Sequence, residues 1–447
     1  METARGAEAL LAAGPAKARP RIVRGEGVWL FDDAGRRYLD GIGGIHVNSI
    51  GHGVAEVADA IARQARQVAF AFAMHFTTDA QVELAERVVA MAPSGMARVH
   101  FVSGGSEATE VALQLARQYH LARGRPTRWR AVGRWHSYHG SSVGAMSVTG
   151  HLGRRRDYAP YLLNFPHIPP PCGARCRLGR SDPAACLACA DELAITIERE
   201  GPDTIAAFVA EPVVGTTAGA LVPPPGYYER VRAICDRYDV LFVADEVITG
   251  FGRTGRTFGI EHWRATPDLI TSAKGLASGY APIGAVVVHE RVAAELARGR
   301  PDGFFTGYTF SGNPVSCAAA LAVQDYLARH RLIERCAVVG ERLKAKLAAL
   351  GERHAAVGEV RGLGLLLGVE LVADRATRAP FPRRERVQER VVAAALERGL
   401  AIVGGTGRGD GPDGDHLLVT PPFVISDAEC DELVAVLDDA LGAAGLS

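Results

Sequence analysis

The stretch Leu241–Lys274, LFVADEVITGFGRTGRTFGIEHWRATPDLITSAK, decides the fold. Val240–Ala244 is an unbroken apolar run, the pattern of a strand covered on both faces in a parallel sheet, and it ends in two carboxylates, Asp245 and Glu246. A glycine-rich loop follows. A second short apolar segment, Leu269–Ile270, then leads into Ser272-Ala273-Lys274-Gly275. The chain holds 50 lysines and arginines, yet only four are lysines: Lys17, Lys274, Lys344 and Lys346. Arginine stays protonated, whereas a desolvated lysine can lose its proton and attack as an amine. A lysine kept beside small residues just past a buried segment therefore reads as catalytic. The alternative is a surface lysine at a strand end.

Working outward, the same strand–helix alternation recurs. Val99–Val102 reads as a short strand, and Ser103-Gly104-Gly105-Ser106-Glu107-Ala108 then opens a helix to about Arg123. A glycine-rich turn at a helix N-terminus offers unpaired N–H groups and the positive end of the helix dipole to an anion. Ala206–Pro212 is a further buried strand, ending near Glu211, and helical Gly226–Tyr238 feeds the Asp245 strand. Pro282–His289 is the strand after the lysine, and a long helix spans Pro314–His330. This order predicts an α/β fold with a mostly parallel sheet sandwiched by helices.

The flanks read differently. Gly27–Asp40 alternates around the turn Asp33-Ala34-Gly35, a hairpin signal, and Val54–Gln67 and Thr78–Met91 have helical spacing. From about Arg331 the pattern becomes a small α+β unit: a strand pair in Val360–Glu370, a helix at Val387–Arg398, and a strand with a turn at Leu417–Ile425. Gly404–Asp415 reads as a flexible polar loop. We expect a large domain over 61–330 and a small α+β domain built from both termini, 1–60 and 331–447.

Lys+Arg 50 against Asp+Glu 50 gives formal neutrality, which favours neither nucleic acid nor an anionic membrane as partner. No apolar run approaches the roughly 18 residues of a spanning helix. The first 20 residues lack a basic region followed by an apolar one, so no signal peptide is expected. The expectation is a cytoplasmic enzyme with reduced thiols.

Asp245-Glu246-Val247, Thr249-Gly250-Phe251-Gly252-Arg253-Thr254-Gly255, Pro267-Asp268 and Lys274-Gly275 together resemble the class III pyridoxal-phosphate aminotransferases. These are fold-type-I enzymes often called omega-transaminases, and the likeness runs from about Gly27 to Ile425. It implies that Lys274 holds pyridoxal 5′-phosphate as a Schiff base and that Asp245 pairs with the pyridine nitrogen. An anion there keeps the ring protonated, and the protonated ring is the electron sink. In the same register Gly105 and Ser106 form the phosphate cradle. Tyr138, in the motif Tyr138-His139-Gly140, stacks on one face of the ring, and Val247 packs on the other. Glu211 lies near the cofactor and can pair with a substrate-site arginine.

Gly307-Tyr308-Thr309-Phe310-Ser311-Gly312-Asn313-Pro314 resembles the family segment that reaches the neighbouring subunit, making Thr309 a phosphate ligand in trans and the active unit a homodimer. The aromatic segment Phe70–Phe76 resembles one that extends to the neighbouring site. His46, in the glycine-rich loop Gly41–Gly53, matches a pocket-lining position; the alternative is a structural loop histidine. Some family members carry a carboxylate-binding arginine just before the final Pro-Pro, where this chain has Leu418. Arg408 is the substitute, swinging in for a keto acid and out for an apolar amine, unless it is simply a solvated loop arginine.

The resemblance thus implies a ping-pong transaminase passing an amino group from a primary amine or amino acid to a keto acid such as pyruvate or 2-oxoglutarate. An aminomutase, racemase or decarboxylase on the same cofactor is the alternative, and a non-catalytic, zinc-stabilised protein of the same fold is the second. The zinc would come from Cys172, Cys176, Cys186 and Cys189, spaced C-x3-C-x9-C-x2-C; free thiols or a redox-sensitive pair are the competing readings.

Overall fold

The computed structural model describes residues 19–171, 183–299, 306–407 and 413–446, the first four of the second stretch by backbone alone. Its centre is a seven-stranded sheet in the order Met96–Val102, Gly284–His289, Leu269–Ser272, Leu241–Asp245, Ile205–Ala210, Arg130–Arg134, His167–Ile168. Gly284–His289 runs antiparallel to both its neighbours, and the remaining pairings are parallel.

Every residue of Leu241–Asp245 is buried. The reason lies in the period of two along a strand. Phe242 and Ala244 enter an apolar cluster with Phe208, Tyr228 and Trp263. Leu241 and Val243 point the other way, into a cluster with Val111, Ala112 and Leu115 of the helix Gly105–Ala122. With both faces covered, the strand shows no alternation in sequence.

The Pro267-Asp268 of the motif is structural: Asp268 accepts the Phe242 N–H at 2.8 Å and pairs with Arg232 at 2.8 Å, tying the start of one strand to the next. A third apolar cluster joins Val28, Leu39, Ile50 and Val57 to Leu343, Val369, Leu417 and Leu437, so the two ends of the chain share a core.

The expected loop Gly404–Asp415 is strand at its two ends, and residues 408–412 lie outside the described residues. Val403–Thr406 is a strand, paired antiparallel with Asp415–Val419 through Gly405↔His416 and Thr406↔Asp415. Its glycines reflect close packing rather than a turn: a Cβ on Gly404 would lie 1.9 Å from Gln388, and one on Gly405 2.3 Å from His416. Gly41–Gly53 likewise contains a left-handed turn, Gly43–His46, with Ile45 and His46 at φ 68° and 64°.

Candidate active site

Six of the seven strands run the same way, so their C-terminal ends and the loops that leave them collect along one edge, the usual place for a site in an open α/β sheet. Asp245 closes one strand and is in register with Thr271 on the next, and Lys274 follows that strand by two residues. Glu211, the Tyr138-His139 pair and the Gly105–Ser106 turn come off the same edge from Ile205–Ala210, Arg130–Arg134 and Met96–Val102.

Asp245 is buried and receives three donors. His139 Nδ1 lies 2.6 Å from Oδ2, while the Val247 N–H donates to Oδ1 at 3.0 Å and the Thr271 hydroxyl at 3.3 Å. His139 is itself held at both ends of its backbone: its N–H donates to Thr149 Oγ1 at 2.8 Å, and its carbonyl accepts from Thr109 on the helix at 2.9 Å. Its other ring nitrogen faces Glu211 at 3.9 Å. Burial by itself pulls the imidazole pKa down, but Glu211 and Asp245 outweigh it and raise the pKa above the ordinary histidine value.

Glu211 in turn takes Arg134 Nη2 on Oε2 at 3.1 Å and the Tyr138 N–H on Oε1 at 3.0 Å. Arg134, Glu211, His139 and Asp245 therefore form a buried line that ends at the carboxylate. A swinging substrate arginine is not needed to neutralise Glu211, because Arg134 already does so.

Lys274 begins a single 3₁₀ turn with φ 34°, a conformation that non-glycine residues rarely adopt and that is often found where function holds it in place. Removal from water lowers its pKa from the ordinary 10.5 to about 8; Asp245 opposes this, while Arg253 and Arg154 add to it. Its Nζ makes no hydrogen bond among the described residues.

The helix Gly105–Ala122 starts after Gly104 with no side-chain cap, so its first N–H groups remain available to an anion. Gly105 packs on Val247 so closely that a Cβ there would sit 2.9 Å from Val247 Cγ1, which brings the anion-binding turn against the Asp245 strand end. The Ser106 hydroxyl accepts the Ser141 N–H at 3.1 Å, linking that turn to the loop after Tyr138. Tyr138 is half-buried, its hydroxyl 2.9 Å from Ser141 Oγ.

The other expected positions have different surroundings. Thr309 is exposed and borders a cavity of about 820 Å³ with Gln114 and Gln118. Gln114 lies eight residues beyond Ser106, about 12 Å along the helix, so within one chain this cavity is displaced from the turn. His46 is buried with both ring nitrogens engaged, Nδ1 to Thr420 Oγ1 and Nε2 to Thr216 Oγ1, each at 2.8 Å. Leu418 is fully buried in a strand. Arg408, Cys172, Cys176 and the Cys186 side chain lie outside the described residues; Cys189 is buried.

Sequence reasoning left three residues without a role. Arg134 looks like any arginine in a chain rich in them; its place just before Tyr138-His139 was the available signal. Glu246 turns out to hold the glycine-rich loop, accepting the Gly259 and Ile260 N–H groups at 2.8 and 2.7 Å, and burial pushes its pKa up to about 7. Arg253 is buried, with its terminal nitrogens on the carbonyls of Asn48, Leu365, Thr420 and Pro421.

A phosphorylated pyridine aldehyde fits these groups: an amine with lowered pKa, a braced buried carboxylate and an uncapped helix N-terminus lie along one edge.

Comparison with known proteins points the same way. A family model described as Aminotransferase class-III matches residues 13–441. An uncharacterised aminotransferase of Bacillus subtilis is 38% identical over 426 residues, covering 95% of this chain and 96% of that protein. The diaminobutyrate–2-oxoglutarate transaminase of Halomonas elongata is 37% identical over 430 residues, covering 94% and 89%. Among solved structures, an amine transaminase from an uncultivated Pseudomonas species, in its pyridoxal-phosphate-bound form, matches with a TM-score of 0.90 at 37% identity over 97% of each chain.

Proposed function

The chain belongs to the class III aminotransferases and is a pyridoxal-phosphate-dependent aminotransferase; on that premise we propose which residues do the work and on what class of substrate. Lys274 Nζ would hold the cofactor aldehyde, Asp245 would pair with the pyridine nitrogen, and the Gly105–Ser106 turn would take the phosphate. Tyr138 and Val247 would pack against the ring. When bound, the cofactor supplies the electron sink that lets an amino-bearing carbon give up its proton.

The chain's own residues supply the rest. Lys274 Nζ, once free, takes that proton and returns it one position away; with a pKa of about 8 the amine can both accept and release it near neutral pH. His139 acts through Asp245: its hydrogen bond holds the carboxylate in place, and Glu211 with Arg134 holds the imidazole. The observation that carries this reading is the juxtaposition of the desolvated Lys274 with an Asp245 braced from behind at 2.6 Å.

The amino donor is a primary amine or an amino acid, the acceptor is a keto acid such as pyruvate or 2-oxoglutarate, and the two react in turn. We also read the active unit as a homodimer. Phe70, Phe72, Met74, Phe76 and Phe310 are all exposed, and Phe70 and Phe310 meet edge to face at 6.1 Å, giving one apolar patch beside Thr309. A second copy covering that patch brings Thr309 towards the neighbour's phosphate.

Titration of the purified holoenzyme tests the reaction. An amine should bleach the visible-violet absorbance, and a keto acid should restore it with stoichiometric consumption. Absorbance that no amine changes would move the weight to a mutase or racemase, which need no keto acid.

A further inference from the structure

Three consecutive arginines, Arg154, Arg155 and Arg156, lie at the end of the short turn Leu152–Arg155, whose start is capped by His151, and the fold uses each differently. Arg155 Nη1 donates to the carbonyls of Met146, Ser147 and Thr149 at 2.9, 2.8 and 2.6 Å, fastening the segment to the helix Val143–Val148. Arg156 pairs with the neighbouring Asp157 at 2.9 Å. Arg154 does neither. It is exposed, its guanidinium carbon lies 4.5 Å from the centroid of the Tyr138 ring, and among the described residues that guanidinium has no carboxylate partner and donates no hydrogen bond. Lodging on an aromatic ring orients a guanidinium without using its five N–H donors, which stay free for a bidentate carboxylate.

We propose that Arg154 is the cation that receives the substrate carboxylate, so that the site is built for keto acids and amino acids rather than for simple ketones and amines alone. The inference rests on the transaminase reading above, because Tyr138 marks the substrate site only if it covers the cofactor ring.

Among the described residues, the other cations near the site are committed, and Arg408 lies outside them. Arg154 and Arg253 both bear electrostatically on Lys274, but the terminal nitrogens of Arg253 are spent on four backbone carbonyls. Arg134 is taken by Glu211 and Tyr228. His46 has both ring nitrogens bonded, and the Leu418 position is apolar and buried. Arg154 is left with donors to spare, on the aromatic residue that follows the Arg130–Arg134 strand.

The test compares the wild-type holoenzyme with Arg154→Met and Arg154→Lys, using one amine donor and two acceptors, pyruvate and an uncharged aldehyde. Loss of a charge-assisted, two-pronged contact should raise KM for pyruvate at least about tenfold in Arg154→Met while the aldehyde KM stays within about twofold, and Arg154→Lys should recover part of the difference. An unchanged pyruvate KM, or an equal rise for both acceptors, overturns the assignment. Calorimetric binding of succinate, which cannot react, gives a readout independent of turnover: it should weaken by a similar factor in Arg154→Met. If the wild type bound succinate through Arg154 yet transferred no amino group, the transaminase reading would fall and the carboxylate site would stand. Turnover with pyruvate at a KM indifferent to Arg154 does the reverse.

Discussion

His139 Nδ1 lies 2.6 Å from Asp245 Oδ2, and its opposite ring nitrogen faces Glu211 Oε2 at 3.9 Å. One imidazole thus stands between two buried carboxylates, with Arg134 closing the line behind. That arrangement makes the carboxylate we propose for the cofactor's ring nitrogen dependent on the histidine behind it.

Replacing His139 by Phe fills the space but removes the donor. Supporting groups behind a functional ligand commonly tune affinity or activity about 10- to 100-fold, and a change of that size in pyridoxal-phosphate affinity and kcat is expected here. Equilibrium dialysis against the cofactor, alongside steady-state rates, measures both. The raised histidine pKa fixes the sign of the pH dependence. The stability it contributes is fully present below the unfolded value of 6.5 and is lost as pH rises through the higher folded value. The stability gap between wild type and His139→Phe should therefore narrow on going alkaline; a gap that widens would contradict the ion-pair reading.

Arg134 and Glu211 are both buried, so removing one partner strands the other. Arg134→Met is expected to destabilise the fold by about 3–5 kcal/mol, far more than loss of a surface pair. Chemical denaturation, followed by far-ultraviolet dichroism, decides the matter. A loss below about 1 kcal/mol would show that the line of charges is not under tension.

The lowered pKa of Lys274, about 8, predicts how the cofactor-free protein recombines with pyridoxal phosphate. Only the neutral amine attacks, so the rate should rise with pH and level off above about 9. At pH 7 it should stand near a tenth of its plateau, as the titration of a group at about 8 requires. Stopped-flow absorbance across that range is the check. A rate still climbing steeply at pH 10 would mean an ordinary, solvated lysine.

Lys274→Ala should abolish turnover while leaving the circular dichroism spectrum and the oligomeric state unchanged. Combined with Thr309→Asp, which would put a negative charge against the neighbour's phosphate, it also tests the shared site. Each variant alone should be inactive. Mixed subunits should regain activity, because one of the two sites then has both an intact lysine and an intact threonine. Were Thr309 to act within its own chain, mixing would restore nothing.

Much of this protein was legible before folding. The unbroken run ending at Asp245 dictated a strand buried on both faces, and the rarity of lysine isolated Lys274; both are local facts of composition and period. The glycine-rich turn before the helix Gly105–Ala122 was legible for the same reason, since glycine followed by helical spacing signals an uncapped N-terminus.

Gly404 and Gly405 read as loop because glycine serves turns and close packing alike, and only the neighbours Gln388 and His416 show which applies. The two adjacent carboxylates are equivalent on paper. The pleat separates them, sending Asp245 to His139 and Glu246 to the N–H groups of Gly259 and Ile260. Arg134, Arg154 and Arg253 are three arginines among many in the sequence, and residue type does not distinguish them. Burial against Glu211, lodgement on the Tyr138 ring and capture by backbone carbonyls give them three different fates. Sequence singled out the groups we propose for the chemistry, because period and residue type are properties of the chain itself. The tertiary structure decided which charges meet, because pairing depends on distances between segments far apart along it.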